Sequence, residues 1–351
     1  MSATAPNALQ SAIHKLAFHE PLTGEDAERA FDVVMRGEAS AVQIASLLSA
    51  LRAAGESPEV VAGVVRALRS AMVALPAESP DDLVDTCGTG GGTVTTFNIS
   101  TAAAIVAAGA GVRVAKHGNR SFTTRCGSAD VLEALGVPID VPVAVMEKAL
   151  RETGIVFMFA PLMHPAMRHV GPIRRELGIP TVMNVVGPLA NPARAGRQVV
   201  GVADLERAPV LAGALSVLGS VHALVVYGEP GLDEVSPLGP THVVEVLNGT
   251  TKRWTIHPEE HGFKKINRDD LRGSEPADNA RLIEKILNGG GPKGARAATV
   301  LNAAAAIYVS GRVNSYAEGV GAAEKSIESG AGNEVLENMK RAYSTPAVST
   351  T

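Results

Sequence analysis

Apolar residues recur every three or four positions through the first seventy-odd residues of the chain. Val42, Ala45 and Leu48 keep that spacing, and so do Val61, Val64, Val65 and Leu68, which predicts amphipathic helices. Polar residues mark where those helices begin. Thr23 with Asp26, and Ser40 with Gln43, stand three apart, the spacing at which two side chains cap a helix reciprocally. Ser57-Pro58-Glu59 reads as an N-cap followed by proline at the first helical position. The prolines and acids of "LPAESPDD" at 75–82 read as a connector. Residues 1–79 are therefore expected to form a small all-helical domain.

Past the connector the period changes. "LVDTCG" (83–88) reads as a strand and the glycines after it as a loop. "NISTAAAIVAAGAG" (98–111) reads as a buried alanine-rich helix, and "VRVAKHG" (112–118) as a second strand. The alternation resumes with strands at 197–203 and 223–228, separated by a helix whose expected cap is Asp204. "KGARAATVLNAAAAIYVSG" (293–311) is the clearest helix near the end, and "STPAVSTT" (344–351) reads as a frayed tail. Short apolar strands alternating with helices predict βαβ units and a partly parallel sheet over residues 80–351.

Composition narrows the class. The 351 residues are 46% apolar and 19% charged, the balance of a folded chain rather than a disordered one. That length suits one large or two modest domains. A net charge of −4 gives no reason to expect nucleic acid or an anionic membrane as partner. Aromatics at 3% argue against a base-stacking platform. The most apolar run, "AAAIVAAGAGV" at 102–112, is too short to span a bilayer. The first twenty residues lack the basic-then-apolar order of a signal peptide. Only Cys87 and Cys126 are present, with no CxxC pair. Neither a disulfide framework nor a zinc site is expected, and a reducing cytoplasm is the plain choice.

Candidate chemistry starts at "DTCGTGGGTVTTFNIST" (85–101). Glycine loses the most freedom on folding, so Gly88, Gly90, Gly91 and Gly92 form either a linker or a place of close backbone approach. The run lies between a strand and a helix, where backbone N–H groups and a helix N-terminus hold phosphates. It is not Gly-x-Gly-x-x-Gly, because Thr93 takes the last position, and no lysine makes it a Walker loop. A phosphate site and a structural turn both stay open on this stretch alone. Asn98, Ser100 and Thr101 open the next helix, and they can cap it, face phosphates or a metal, or do both.

Three further stretches carry reactive side chains. "KHGNRSFTTRCGSADVLEALG" (116–136) is expected to place Lys116, His117, Asn119, Arg120 and Ser128 on one loop beyond a strand's carboxyl end, where open α/β sheets bind ligands. Lys116 beside a glycine loop reads as an anion contact. His117 reads equally as a packed ring donating to a backbone carbonyl. In "HPAMRHVGPIRRELGIPTVMNVVGPLANP" (164–192), Gly171-Pro172 interrupts a helix that carries Arg168, Arg174 and Arg175. These are surface charges unless a guanidinium turns inward to fork a carboxylate. "GLDEVS" (231–236) sets Asp233 and Glu234 in a turn after a strand. The pair is either an ordinary acidic turn or what Mg²⁺ needs beside substrate phosphates.

Taken in order, "GTGG…FNIST", "KHGNR…CGSADVLEALG", "FAPLMHPAMRHVGPIRRELG", "NVVGPLANP" and "GLDE" make the chain resemble the anthranilate phosphoribosyltransferase family over nearly its whole length. The resemblance implies an α/β fold: a small all-helical N-terminal domain, and a larger α/β domain with a central mixed, largely parallel sheet flanked by helices. A helical segment at about 162–182 would return to the small domain, through which two copies would form a homodimer. The implied reaction joins anthranilate to 5-phosphoribosyl 1-diphosphate with Mg²⁺, giving N-(5-phosphoribosyl)anthranilate and diphosphate, a step of tryptophan biosynthesis. By motif position, Gly88, Gly91, Thr96, Asn98, Ser100, Thr101, Lys116 and Ser128 would hold the phosphoribosyl donor. Gly88, Asn119, His164 and Arg174 would contact anthranilate, and Ser100, Asp233 and Glu234 would serve the metal. Lys116 and Arg174 would be the catalytic cations. The family commonly has aspartate after GTGG, and Gly92 stands there instead.

Three rivals are weaker. A nucleoside phosphorylase of related fold would have KxSTGGxGD, and "DTCGTGGG" lacks its Lys and Ser. A nucleic-acid-binding homologue without turnover should carry a basic face. A sugar-phosphate binder without turnover is the bland reading.

Overall fold

The computed structural model describes residues 7–121 and 125–344. The expected tail lies outside the described residues from 345 onward, as do 122–124 of the polar loop.

The N-terminal module is four helices: α1 (Ala8–Ala17), α2 (Gly24–Met35), α3 (Ala41–Ala54) and α4 (Pro58–Ser70). The spacing of polar pairs fixes their starts. Thr23 Oγ1 accepts the Asp26 N–H at 3.1 Å while Asp26 accepts the Thr23 N–H at 3.1 Å. Ser40 and Gln43 exchange the same two bonds, and so do Asn7 and Gln10, a third box. Each box satisfies two of the N–H groups that a helix start leaves bare. Ser57 caps α4 ahead of Pro58.

The rest alternates. β1 (Leu83–Gly88) leads to α5 (Ile99–Gly109), and β2 (Arg113–Gly118) to α6 (Ser128–Ala134) and α7 (Val143–Thr153). β3 (Ile155–Phe159) leads to two short helices, α8 (Ala160–Met163) and α9 (Gly171–Leu177). β4 (Arg197–Gly201), α10 (Ala208–Val217) and β5 (His222–Gly228) follow. After the hairpin of β6 (Thr241–Leu247) and β7 (Thr250–Ile256) come α11 (Pro276–Leu287), α12 (Lys293–Val309), α13 (Tyr316–Glu328) and α14 (Ala331–Ser344).

The seven strands form one sheet in the order β3-β2-β1-β4-β5-β6-β7. The first five run parallel and the last two antiparallel. Central β1 therefore has its successors on both sides. The crevice beyond its carboxyl end is the place where open α/β sheets bind ligands. The β6–β7 hairpin turns on Asn248-Gly249, both with positive φ (48° and 79°), as a two-residue type I′ turn requires. Exposed Lys252 and Arg253 on edge strand β7 discourage further pairing.

Each sheet face has its own core, because successive side chains point to opposite faces. Val199, Leu224 and Val226 pack with α5, α12, α13 and α14. Val200, Ala223 and Val225 pack with α10 and, beyond it, the N-terminal helices. α5 and α12 meet through buried alanines: Ala102, Ala103, Ala104 and Ala107 on one, Ala295, Ala298 and Ala303–Ala306 on the other. The segment after β3 turns to the other core. Val170, Val182 and Met183 share it with α1–α4, and the His169 ring lies 2.6 Å from where a Cβ on Gly37 would be.

Two local expectations need correction. Asp204 accepts from the Glu206 N–H and caps a 3-10 turn, Leu205–Arg207, rather than α10 itself. Pro172 does not break a helix from within. It stands in the first turn of α9, where its missing N–H costs nothing. The interruption falls at His164 and Val170, which flank the 3-10 turn Pro165–His169. Among the described residues no helix is long and apolar enough to cross a membrane.

Candidate active site

The glycine loop after β1 meets the turn after β5 at the carboxyl edge of the sheet. Gly90 and Gly91 have φ of 72° and 87°, which any other residue would adopt only with strain. That turn aims the Gly90 N–H at Asp233 Oδ2, 2.9 Å away. Close approach explains two more glycines. A Cβ on Gly88 would fall 2.4 Å from Asp233 Oδ2, and one on Gly201 would fall 1.7 Å from the Asp233 carbonyl oxygen. The Gly91 and Gly92 N–H groups make no hydrogen bond among the described residues. The loop is thus both a structural turn and a set of uncommitted amides. A side chain on Gly92 would start 3.2 Å from Asp233 Oδ1, so an aspartate there would set a second carboxylate against the first.

Behind the loop sits Lys116. It lies inside β2, within the strand read at 112–118 rather than on the loop beyond it, and its side chain crosses beneath β1. Its Nζ donates to the Thr86 carbonyl and to Ser100 Oγ at 3.2 Å. Burial lowers its pKa, and the nearby Asp85 carboxylate opposes that shift. Asp85 is fully buried, which raises its own pKa, and it accepts from Asn191 Nδ2 at 2.7 Å and the His117 N–H at 3.2 Å. Glu234 shares a cavity of about 10 Å³, room for a single water, with Thr86, Cys87, Ser100 and Asn302. The Ser100 backbone bonds the Glu234 carboxylate. Burial first, and Asp233 second, hold Glu234 above the usual carboxylate range, and burial raises Asp233 as well.

Two carboxylates pushed up side by side mark a place where positive charge is wanted. No cluster of three or more His, Cys, Asp or Glu side chains suited to a metal occurs among the described residues. The donors here are two carboxylates and a hydroxyl, all hard oxygens. That set fits Mg²⁺, which fills its shell with substrate phosphates and water. Ser100 is half-buried, whereas Thr101 is 1% exposed with a hydroxyl that finds no partner among the described residues. Thr96 is half-buried on the loop, and Ser128 half-buried as the first residue of α6.

The remaining predicted residues gather on the other side of β2. His117 faces away from Lys116, and its ring lies 4.9 Å from that of His164, at an interplanar angle of 51°. Burial lowers the two rings to about 3 and about 4, so both are neutral at pH 7. Each makes one backbone hydrogen bond, His117 with Gly187 and His164 with Ala190. Each is left with a buried Nε2 lacking a partner among the described residues. The packed-ring reading of His117 holds: the ring is buried and backbone-bonded, with its Nε2 left without a partner among the described residues. Asn119 follows at the end of β2, its side chain accepting from the Arg120 N–H at 2.8 Å. Arg120 is spoken for, paired with Asp130 and Glu133 and lying over the Phe159 ring. On α9, Arg175 is exposed while Arg174 is half-buried. Arg174 has no ion pair or side-chain hydrogen bond among the described residues, and burial lowers its pKa.

Sequence reading missed four buried polar residues. Asp85 and Asn191 lie inside motifs already quoted, and their signal was a polar residue in an apolar run. Asn279 and Asn302 gave no local signal, since their partners are 181 and 67 residues away. Asn279 donates to Asn98 Oδ1 at 3.0 Å, and Asn98 in turn donates to the Cys126 carbonyl at 3.1 Å. Asn98 is thus committed to the polar loop and does not cap α5 with its side chain.

Comparison with known proteins agrees across the chain. Residues 80–333 match the model for the glycosyl transferase family, a/b domain, and residues 10–72 match that for its helical bundle domain. An anthranilate phosphoribosyltransferase from Rubrobacter xylanophilus is 48% identical over 333 residues, 95% of this chain and 97% of that one. The crystal structure of the Thermus thermophilus anthranilate phosphoribosyltransferase superposes with a TM-score of 0.90 at 42% identity, covering 95% of this chain and 99% of that one. The Saccharomyces cerevisiae enzyme in complex with PRPP and Mg gives a TM-score of 0.87 at 31% identity, covering 96% and 98%.

Proposed function

The chain belongs to the anthranilate phosphoribosyltransferase family, and on that premise we propose how its loop cluster performs the reaction. The protein transfers the 5-phosphoribosyl group of 5-phosphoribosyl 1-diphosphate to the amine of anthranilate and releases diphosphate. One observation carries the assignment of the donor end. The free Gly91 and Gly92 amides lie beside Asp233, whose neighbour Glu234 is tied to Ser100, and Ser100 to Lys116.

Displacement at the anomeric carbon builds negative charge on the departing diphosphate and positive charge on the sugar. The uncommitted loop amides and the start of α5 would receive phosphate oxygens. Asp233, Glu234 and Ser100 would hold Mg²⁺, which when bound offsets charge on the leaving group. Lys116 fixes Ser100 from behind and adds a fixed positive field. Gly88, Thr96, Asn98, Thr101 and Ser128 are assigned to the donor by motif. Anthranilate's amine is a weak base and neutral at pH 7, so it attacks without a strong general base. His164, Asn119 and Gly88 would line its place, and the unpaired Arg174 guanidinium would fork its carboxylate. Holding two substrates in register is worth up to about 7–11 kcal/mol in favourable cases.

We also propose the division into residues 1–79, with 162–182 returning, and 80–351. Pairing of two copies through the helical module is supported by apolar Phe18 and Val42, 66% and 75% exposed. A cytoplasmic place is supported by two free cysteines. The deciding assay mixes purified protein, anthranilate, the diphosphate donor and Mg²⁺. Loss of anthranilate fluorescence with release of diphosphate is expected, and unchanged fluorescence would overturn the reading.

A further inference from the structure

α12 is buried along most of its length and rich in alanine, which makes Asn302, 3% exposed, conspicuous. A side-chain amide in such a place is costly unless its donors and acceptor are used. Here all of them are used, two of the three on one residue. Asn302 Oδ1 accepts the Val235 N–H at 2.8 Å, and its Nδ2 donates to the Val235 carbonyl at 2.9 Å. The second Nδ2 hydrogen goes to the Ala298 carbonyl at 2.9 Å, one turn back on the helix. Val235 is the residue after Glu234, and Asn302 also lines the small cavity that Glu234 and Ser100 share.

We propose that Asn302 is a positioning residue: by clasping both peptide groups of Val235 it sets where the Asp233–Glu234 carboxylate pair stands. The inference rests on the metal-assisted reading above. The turn is fixed at both ends: Leu232 exchanges backbone bonds with Gly228, the Thr93 N–H donates to the Gly231 carbonyl at 2.9 Å, Asp233 takes the Gly90 N–H, and the Ser236 N–H donates to Thr241 Oγ1 at 2.9 Å. Asn302 ties the stretch between Asp233 and Ser236 to α12, and without its amide that tie is lost. Groups standing behind metal ligands matter because small displacements are felt directly in affinity.

The test uses Asn302→Leu, which removes both bonds to Val235, and Asn302→Asp, which loses the donor to its carbonyl. Thr299→Val, on the same buried helix, is the control, since the Thr299 hydroxyl bonds only Ala295. Mn²⁺ binding in the presence of 5-phosphoribosyl 1-diphosphate is titrated calorimetrically beside the melting temperature. Both Asn302 variants should bind Mn²⁺ about 10–100-fold more weakly, with the control unchanged in affinity whatever its melting temperature. Folded Asn302 variants with wild-type Mn²⁺ affinity would overturn the proposal. If neither variant folds, hydrogen exchange on the wild-type protein decides. A Val235 amide exchanging as fast as the open Gly91 amide would sink the clasp, and strong protection without ligand would support it. A wild-type protein that binds no Mn²⁺ with the donor would instead overturn the metal site itself.

Discussion

Arg174 is the residue whose surroundings say most. A half-buried guanidinium without a partner among the described residues pays a desolvation cost that a bound carboxylate would remove. Arg174→Ala should raise the KM for anthranilate by about 10–100-fold, the value of a charge-assisted pair of about 1.5–3 kcal/mol, and leave that for the phosphoribosyl donor within about twofold. Steady-state kinetics with both substrates varied will show it, and an effect confined to the donor would reassign the residue. The histidine pair makes a second prediction. Both rings are depressed below 6.5, so the unfolded chain binds more protons than the folded one between about 6.5 and about 3. Stability is therefore full above 6.5 and falls as pH drops through that window. His117 alone should account for roughly 2 kcal/mol by pH 5. Urea midpoints at pH 7.5 and pH 5 should differ less in His117→Asn than in the unchanged protein.

At the scale of elements, the acidic turn and the glycine loop act as one unit. Asp233→Asn with Glu234→Gln should keep the Gly90 contact roughly in place, yet lower activity and weaken the Mg²⁺ requirement. Activity titrated against Mg²⁺ will check this, and an unaltered titration curve would make the acids a plain turn. Elements with local signals were legible in the chain. Thr23–Asp26 and Ser40–Gln43 announced α2 and α3, and apolar runs ending in glycine announced β1 and β2. β3 was not, because "IVFMF" has no alternation and runs straight into the helix of "APLM". The β6–β7 hairpin has a local signal too, the Asn248-Gly249 pair at its turn. In the site, the residues assigned to ligands by motif position were legible. Those that hold the motifs in place, such as Asn279 and Asn302, were not, since their partners lie far along the chain. Lys116 and His117 sit in the strand, where the alternation of a strand sends neighbouring side chains to opposite sides.

For the whole molecule, the helical module and the sheet share one apolar core through α4 and α10, while the outer side of the module leaves Phe18 and Val42 to solvent. On the proposed pairing through this face, Phe18→Glu with Val42→Glu should lower the mass in solution from two copies to one while shifting the melting temperature by only about a few degrees. Light scattering at several concentrations will read it, and an unchanged mass would place the interface elsewhere. The alanine seam between α5 and α12 has a consequence of its own. Small side chains at that contact let the two helices approach closely, so the proposed donor end stands on a stiff base. A turnover limited by closing of the α9 segment over that base would make kcat decline as sucrose thickens the medium, whereas a step limited by bond breaking would ignore it.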